Sequence, residues 1–349
     1  MKEKFPEFYP PKKDDFKTLW AEAIFVFDTN VLLSLYRYPP KTQAKLVTAL
    51  KKLKNRLWIP HQVALEFHRR RLSVICTQEK TYKEMLESLS SFEEQYIKHP
   101  FLQDKVLMKA IKAACVIIRN KVETLDDSRP KWLVDDSVLD NLEKLIGNKV
   151  GDAYDDAKMS DIYKEGSERY LKEIPPGYKD TEKDKGDKTK TRKYGDLIIW
   201  YQIIDKAKIE KKPIIFITDE QKEDWWWKEE GGRNMGARHE LKKEMLDKAG
   251  VQLHMYQSDQ FIDHSQEHLN TKFSAEFITD IKKIREEIVN DINQYVGTSD
   301  SSSLQLVTEE SNSLESLSNS GSVAGNIVSS EELSGSQESP TDISEQSTL

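Results

Sequence analysis

The chain has 349 residues, 37% of them apolar and 32% charged, with a formal net charge of -7. No stretch reaches the roughly 18 to 20 uncharged apolar residues needed to cross a bilayer, and Met1 to Pro6 lacks the apolar centre of a secretory signal, so a soluble, cytoplasmic protein without a membrane partner is expected. The cysteines, Cys76 and Cys115, have no CxxC spacing, which excludes a disulfide scaffold and a structural zinc cluster.

Short apolar runs at Ile24 to Phe27, Leu57 to Ile59, Pro213 to Ile217 and Val251 to Tyr256 alternate with helical patterns. Runs of that length fit strands buried on both faces, and the alternation predicts a parallel sheet flanked by helices in an α/β core. Between them, Tyr82, Met85, Leu89, Phe92 and Tyr96 follow a 3,4 spacing, and Leu102, Val106, Ala110, Ala113 and Ile117 repeat it after the break at His99-Pro100. This predicts an inserted helical hairpin or arm, read first as scaffold and otherwise as a surface for a protein partner or self-association. Lys179 to Lys193 alternates basic with acidic residues and reads as a mobile loop. From Asp300 to Leu349 there are 9 acidic residues, 16 serines and no Lys or Arg, a composition expected to stay disordered. The remainder holds 53 basic against 51 acidic residues, which tolerates a polyanionic partner without demonstrating one. The predicted division is a core over 1–68 and 175–270, a helical insertion over 69–174, a C-terminal helix over 271–296 and a tail over 297–349.

The strand Ile24 to Phe27 runs into Asp28-Thr29-Asn30, and the strand Pro213 to Thr218 runs into Asp219-Glu220. In an open parallel sheet the functional crevice lies beyond the carboxyl ends of the strands, where both carboxylates are delivered. Asp196, at the start of a helix over Leu197 to Ala207, and Glu66, in the helix after Ile59-Pro60, are positioned to join them. Singly, each has an ordinary explanation: turns for Asp28 and Asp219, a helix cap for Asp196, an ion pair with Arg70 for Glu66. Together, four carboxylates aimed at one crevice repel each other, and oxygen donors of this kind favour Mg²⁺ or Mn²⁺ over zinc.

Phe25 to Leu33, Ile59-Pro60 leading to Leu65-Glu66-Phe67, Gly195-Asp196-Leu197-Ile198 and Phe216-Ile217-Thr218-Asp219 stand in an order that resembles the PIN-domain nucleases, named after the PilT N-terminus. More closely, the chain resembles the PIN-like subgroup with a long helical insertion, through Ile174 to Asp180, Asp219 to Trp226 and Gly236 to Leu241, with His239 where the subgroup leads one to expect Pro. The resemblance implies metal-dependent endonucleolytic cleavage of a phosphodiester, RNA before DNA, with Asp28, Glu66, Asp196 and Asp219 as metal ligands. It also implies a role as a toxin or in antiviral defence. The residues agree, since carboxylate-held metals activate water directly and the chain offers no Ser-His-Asp or Cys-His arrangement.

Further candidates surround this set. Asn30 follows the first acid, Asp224 would supply a fifth carboxylate ligand, and Lys222 would contact a phosphate if the turn after Asp219 folds back over the site. Tyr178, Lys179 and Lys193 flank the charged loop, and Arg238 precedes a helix start; all three cations have surface solvation or ion pairing as the plainer reading. Trp225, Trp226 and Trp227 divide between core packing and stacking on unpaired bases. His264 to His268 matches HxxEH without a credible downstream ligand, and no phosphate-binding glycine loop is present. A non-catalytic nucleic-acid or protein adaptor on the same fold is the competing function.

Overall fold

A computed structural model describes residues 1–297 except 10, 98, 103, 185–190 and 232. The expected tail over 297–349, apart from its first residue, and the middle of the charged loop therefore lie outside the described residues. Among the described residues the strands are β1 (Ile24–Phe27), β2 (Leu57–Trp58), β3 (Ile214–Ile217), β4 (Trp226–Lys228), β5 (Asn234–Ala237) and β6 (Leu253–Tyr256). The helices longer than a single short turn are α1 (Lys13–Glu22), α2 (Thr29–Leu33), α3 (Pro40–Leu53), α4 (His61–Ile97), α5 (Lys105–Ser128), α6 (Ser137–Ile146), α7 (Asp156–Leu171), α8 (Gly195–Glu210), α9 (His239–Ala249), α10 (Ser258–His268) and α11 (Ala275–Gly297).

Four strands form one parallel sheet in the order β2-β1-β3-β6, as the apolar runs predict. Every residue of β1 and β3 is buried, so these strands carry apolar side chains on both faces and need helices on both sides. The chain leaves β1 toward β2 on one side and returns with β3 on the other. Their carboxyl ends therefore flank the point where strand order reverses, and Asp28 and Thr218 sit there. The second sheet, β4 paired antiparallel with β5, accommodates the tryptophan run: Trp225 and Trp226 are buried and Trp227 is half-buried against His239.

The insertion is richer than a hairpin. Helix α4 begins beside β2 and continues outward for 37 residues, so the helix that carries Glu66 also carries the arm. Helix α5 returns antiparallel to it, capped by Asp104 accepting from the Leu107 amide at 2.7 Å, and α6 and α7 bring the chain back to the core. Arg169 of α7 fastens that return: it pairs with Glu244 of α9 at 2.7 and 2.9 Å and also donates to the Pro175 carbonyl. The face of α5 that meets α4 is the one bearing Cys115 and Val122, both buried, whereas Val106 and Ile117 of the predicted stripe face solvent. No helix among the described residues is long and apolar enough to cross a membrane.

Candidate active site

Asp28 caps α2 and is held by three donors. Its Oδ1 accepts from the Thr29 amide at 2.7 Å, and its Oδ2 accepts from the Asn30 side chain at 2.7 Å and the Thr218 hydroxyl at 2.6 Å. Asn30 also accepts from the Asp219 amide at 3.1 Å, tying the end of β1 to the end of β3. Burial pushes the Asp28 carboxyl up to about 7; the Thr218 hydrogen bond opposes this, and the charges of Asp196 and Glu66 add to it. Glu66 and Asp196, from separate elements, thus both act on Asp28 at the sheet's carboxyl edge.

The first turn of α8 is built for close approach. A side chain at Gly195 would come within 2.9 Å of Glu66 Oε1, and at Gly177, where φ is +92°, it would lie 3.2 Å from the Asp196 Cβ and 2.3 Å from the Tyr170 hydroxyl. Gly177 needs its freedom twice, for the positive φ and for the space. Gln62, one turn before Glu66, donates to its Oε1 at 2.8 Å, and the indole of Trp225 donates to Asp196 Oδ2 at 3.0 Å. Asp196 does not cap α8; Tyr194 occupies that position.

Asp224 faces the same side of the crevice. It is fully buried, its Oδ2 accepts from the Gly177 and Lys179 amides at 3.0 and 3.1 Å, and its Oδ1 has no partner. Burial and then the Asp196 charge push it up to about 6, against the Lys179 amide and Lys222. The turn after β3 does fold back: Lys222 pairs with buried Asp180 and lies 3.3 Å from Glu220. Burial works against its ammonium, but Asp196, Glu220 and Asp180 together keep it protonated.

Asp219 has a different set of partners. Its Oδ1 accepts from the Ser258 amide at the start of α10 at 2.8 Å, its buried Oδ2 is unpartnered, and its charged neighbours are Arg285 and Asp259. Burial pushes it up to about 6 in spite of the Ser258 hydrogen bonds. Among the described residues, no group of three or more His, Cys, Asp or Glu side chains is arranged closely enough to hold a metal ion.

A family model described as a PIN-like domain matches residues 24–241. The chain belongs to the PIN-like domain family. No curated protein and no solved structure matches it. The matched span runs from the first residue of β1 to the first turn of α9, so it takes in Asp28, Glu66, Asp196, Asp219 and Asp224 together with the whole insertion.

The remaining candidates of this PIN-like chain sit apart from the acids or beside them. Tyr178, Lys179 and Arg238 form an ion-paired strip: Lys179 meets Glu223 at 2.7 Å, Arg238 donates twice to Glu240 at 3.0 and 2.6 Å, and Arg238 also reaches the Tyr178 hydroxyl at 3.3 Å. The Lys193 ammonium lies 5.0 Å from the centre of the Tyr194 ring. His239 packs between Phe8 and Trp227 and takes no part in the acid crevice. His264, exposed, lies against Tyr256, and His268, half-buried, stacks on Trp20, so both edge the aromatic cluster. A cavity of about 670 Å³, lined by Trp58, Gly151, Tyr154 and Lys206 among others, opens where β1 and β2 begin and contains none of the acids. Sequence reasoning passed over Asp180, Glu220, Thr218 and Gln62. Glu220 and Thr218 adjoin Asp219, and Asp180 closes the Pro-Pro-Gly-Tyr-Lys-Asp stretch, so adjacency to recognised segments was the available signal.

Proposed function

We propose that this PIN-like protein is a metal-dependent endonuclease that hydrolyses phosphodiester bonds, RNA in preference to DNA, in the cytoplasm. The observation that carries the reading is that Glu66 of α4 and Asp196 of α8 converge on Asp28 at the end of β1: a Cβ on Gly195, next to Asp196, would lie 2.9 Å from Glu66 Oε1, and both acids raise the Asp28 carboxyl, while Asp196 also raises Asp224. The donors are all carboxylate oxygens, which suits Mg²⁺ or Mn²⁺, and a buried carboxylate oxygen without a partner, Asp224 Oδ1, suits a cation. Mg²⁺ keeps several waters and takes only one or two carboxylates directly, so a three-acid cage is not required of the protein.

In this reading Asp28, Glu66, Asp196 and Asp224 would share the ion, one or two of them directly and the others through its waters, and Asp219 shapes the start of α10. A bound Mg²⁺ or Mn²⁺ supplies an activated water and polarises the phosphate. The chain's own part is placement. Asn30 and Thr218 fix Asp28, Gln62 fixes Glu66, and the Trp225 indole fixes Asp196, which limits reorganisation when charge develops. Lys222, rooted in Asp180, brings a cation to the same rim for a phosphate oxygen. A toxin or defence role belongs to the same proposal and rests on the family resemblance.

The test is incubation of single- and double-stranded RNA and DNA with Mn²⁺, comparing the wild-type chain with Asp28→Asn and Asp196→Asn. Cleavage that both substitutions abolish supports the reading; equal cleavage by all three proteins overturns it. A second reading, a non-catalytic nucleic-acid adaptor, draws on the absence of a closely spaced metal-binding group among the described residues. Titration calorimetry separates the two, because an adaptor binds RNA equally with and without Mn²⁺ and takes up no ion at the acids.

A further inference from the structure

Helix α5 has two apolar faces, and α4 covers only one of them. Cys115 and Val122 are buried toward α4, and Arg119 and Arg129 cross to Glu93 and Glu79 at 2.6 and 2.8 Å. At 100° per residue, Val106, Ala110, Ala113 and Ile117 fall on the opposite side, and all are exposed, Val106 by 79% and Ile117 by 69%. Leu107, Ile118 and Leu125 are exposed along the edge between the two sides. The apolar stripe runs from Val106 to Ile117, and Asn120, Lys121 and Thr124 continue the same side as polar residues; exposed apolar area of this kind marks an interaction surface.

The charges beside the face name its occupant. One flank carries Lys105, Lys109 and Lys112 in the first half of α5 and Glu123 and Asp127 in the second, all exposed and none in an ion pair among the described residues. In an antiparallel helix pair, equivalent flanks meet, with the first half of one helix against the second half of the other. A two-fold axis beside Val116 sets Lys105 against Asp127 of the partner subunit and Lys109 against Glu123 of the partner subunit in one register. It also seats Ile117 beside the small Ala113 and Ala114 of the partner subunit. Self-complementarity about a two-fold axis is the requirement for an isologous dimer.

We propose that the outer face of α5 is a homodimer interface in which two copies of this chain pair α5 antiparallel to α5. The proposal is independent of the nuclease reading. One helix pair about 36 Å long is a small interface, so association belongs to the weak, concentration-dependent class.

Sedimentation equilibrium of the full chain, up to about 100 µM in keeping with that class, tests it. The expected mass rises with concentration from 40.5 kDa toward twice that value. Ile117→Glu and, separately, Ala113→Glu should each hold the mass at the monomer, with unchanged thermal melting because both sites are exposed. Lys109→Glu should weaken the dimer at least tenfold, and adding Glu123→Lys should restore it. A wild-type chain that stays monomeric, including one that instead binds lipid vesicles, overturns the proposal. So does a dimer that Ile117→Glu and Ala113→Glu leave intact, or one that the charge swap fails to rescue.

Discussion

The acid crevice and the α4–α5 arm place opposite kinds of side chain where water-to-protein transfer is least favourable. In the crevice, charged groups are enclosed: Asp224 is fully buried, and Asp28, Glu66 and Asp196 are each gripped by a neighbouring donor while the last two act on the first. On the arm, apolar groups stand in water, with Val106 and Ile117 among the most exposed large residues. Enclosing unpaired like charges costs stability, and so does leaving apolar area wet. Each region therefore carries a cost that a bound species would relieve, a cation in the first and a second helix in the second.

The comparison breaks most readily at the crevice. Asp28→Asn and Asp196→Asn should each lower cleavage by about 10²–10³-fold, the scale of losing a principal electrostatic group; Asp196→Asn should leave the melting temperature equal or higher because like-charge repulsion falls, whereas Asp28→Asn sets an amide NH₂ against a donor and should lower it. Activity assays with parallel thermal melts check both halves, and an active Asp196→Asn enzyme would remove Asp196 from the ion. Asp219→Asn and Asp224→Asn then sharpen the site itself: calorimetry should show weaker Mn²⁺ binding for Asp224→Asn and near-wild-type binding for Asp219→Asn. The reverse order would return Asp219 to the ion.

Next in size is the joint between insertion and core. Glu244 is held down to about 2: burial alone would raise it, but Arg169, Lys248 and the Trp200 indole outweigh burial. A depressed folded value means that this stability is present above the ordinary glutamate range and is lost as pH falls through the folded value. Glu244→Gln leaves Arg169 buried without its carboxylate and should cost about 3–5 kcal/mol, measured by urea unfolding at neutral pH. The crevice acids have the opposite sign. Asp28 and Asp224 are raised, so between the ordinary aspartate range and about 7 the folded chain holds more protons than the unfolded chain, and their contribution weakens as pH rises. Mn²⁺ at neutral pH should therefore raise the melting temperature of the wild-type chain and leave that of Asp28→Asn unmoved. Thermal melts with and without the ion decide it.

These residues also mark how far the sequence could be read. The sheet strands were legible because apolar runs such as Ile214 to Ile217 are too short for a buried helix of the kind α8 forms, and Asp28 followed β1 directly. Which way Asp219 and Asp224 point was not legible. It depends on the path from Thr218 through Lys222, which is set by Asp180, Glu220 and α10, all placed by tertiary packing. The β4–β5 pair escaped because its strands are short and the Trp run has no period to read. On α5, 3,4 spacing revealed an apolar stripe, but a helix with two apolar faces has two such stripes, and spacing does not say which one meets α4.

The smallest effect belongs to the rim of the crevice, where charges are neither enclosed nor unpaired. Arg238 is paired to Glu240, and both side chains reach solvent, at 27% and 51% exposure. Exposed pairs of this kind contribute about 0–1 kcal/mol. Arg238→Ala should accordingly change RNA affinity less than about fivefold and leave the melting temperature within a few degrees. Lys222, three-quarters enclosed and anchored to a buried carboxylate, is the internal control: Lys222→Met with Asp180→Asn, which removes both partners together, should retain the fold and lose far more cleavage than Arg238→Ala. If fluorescence-anisotropy titrations and cleavage rates rank the two cations the other way, enclosure is not what distinguishes the working charges of this molecule from its surface ones.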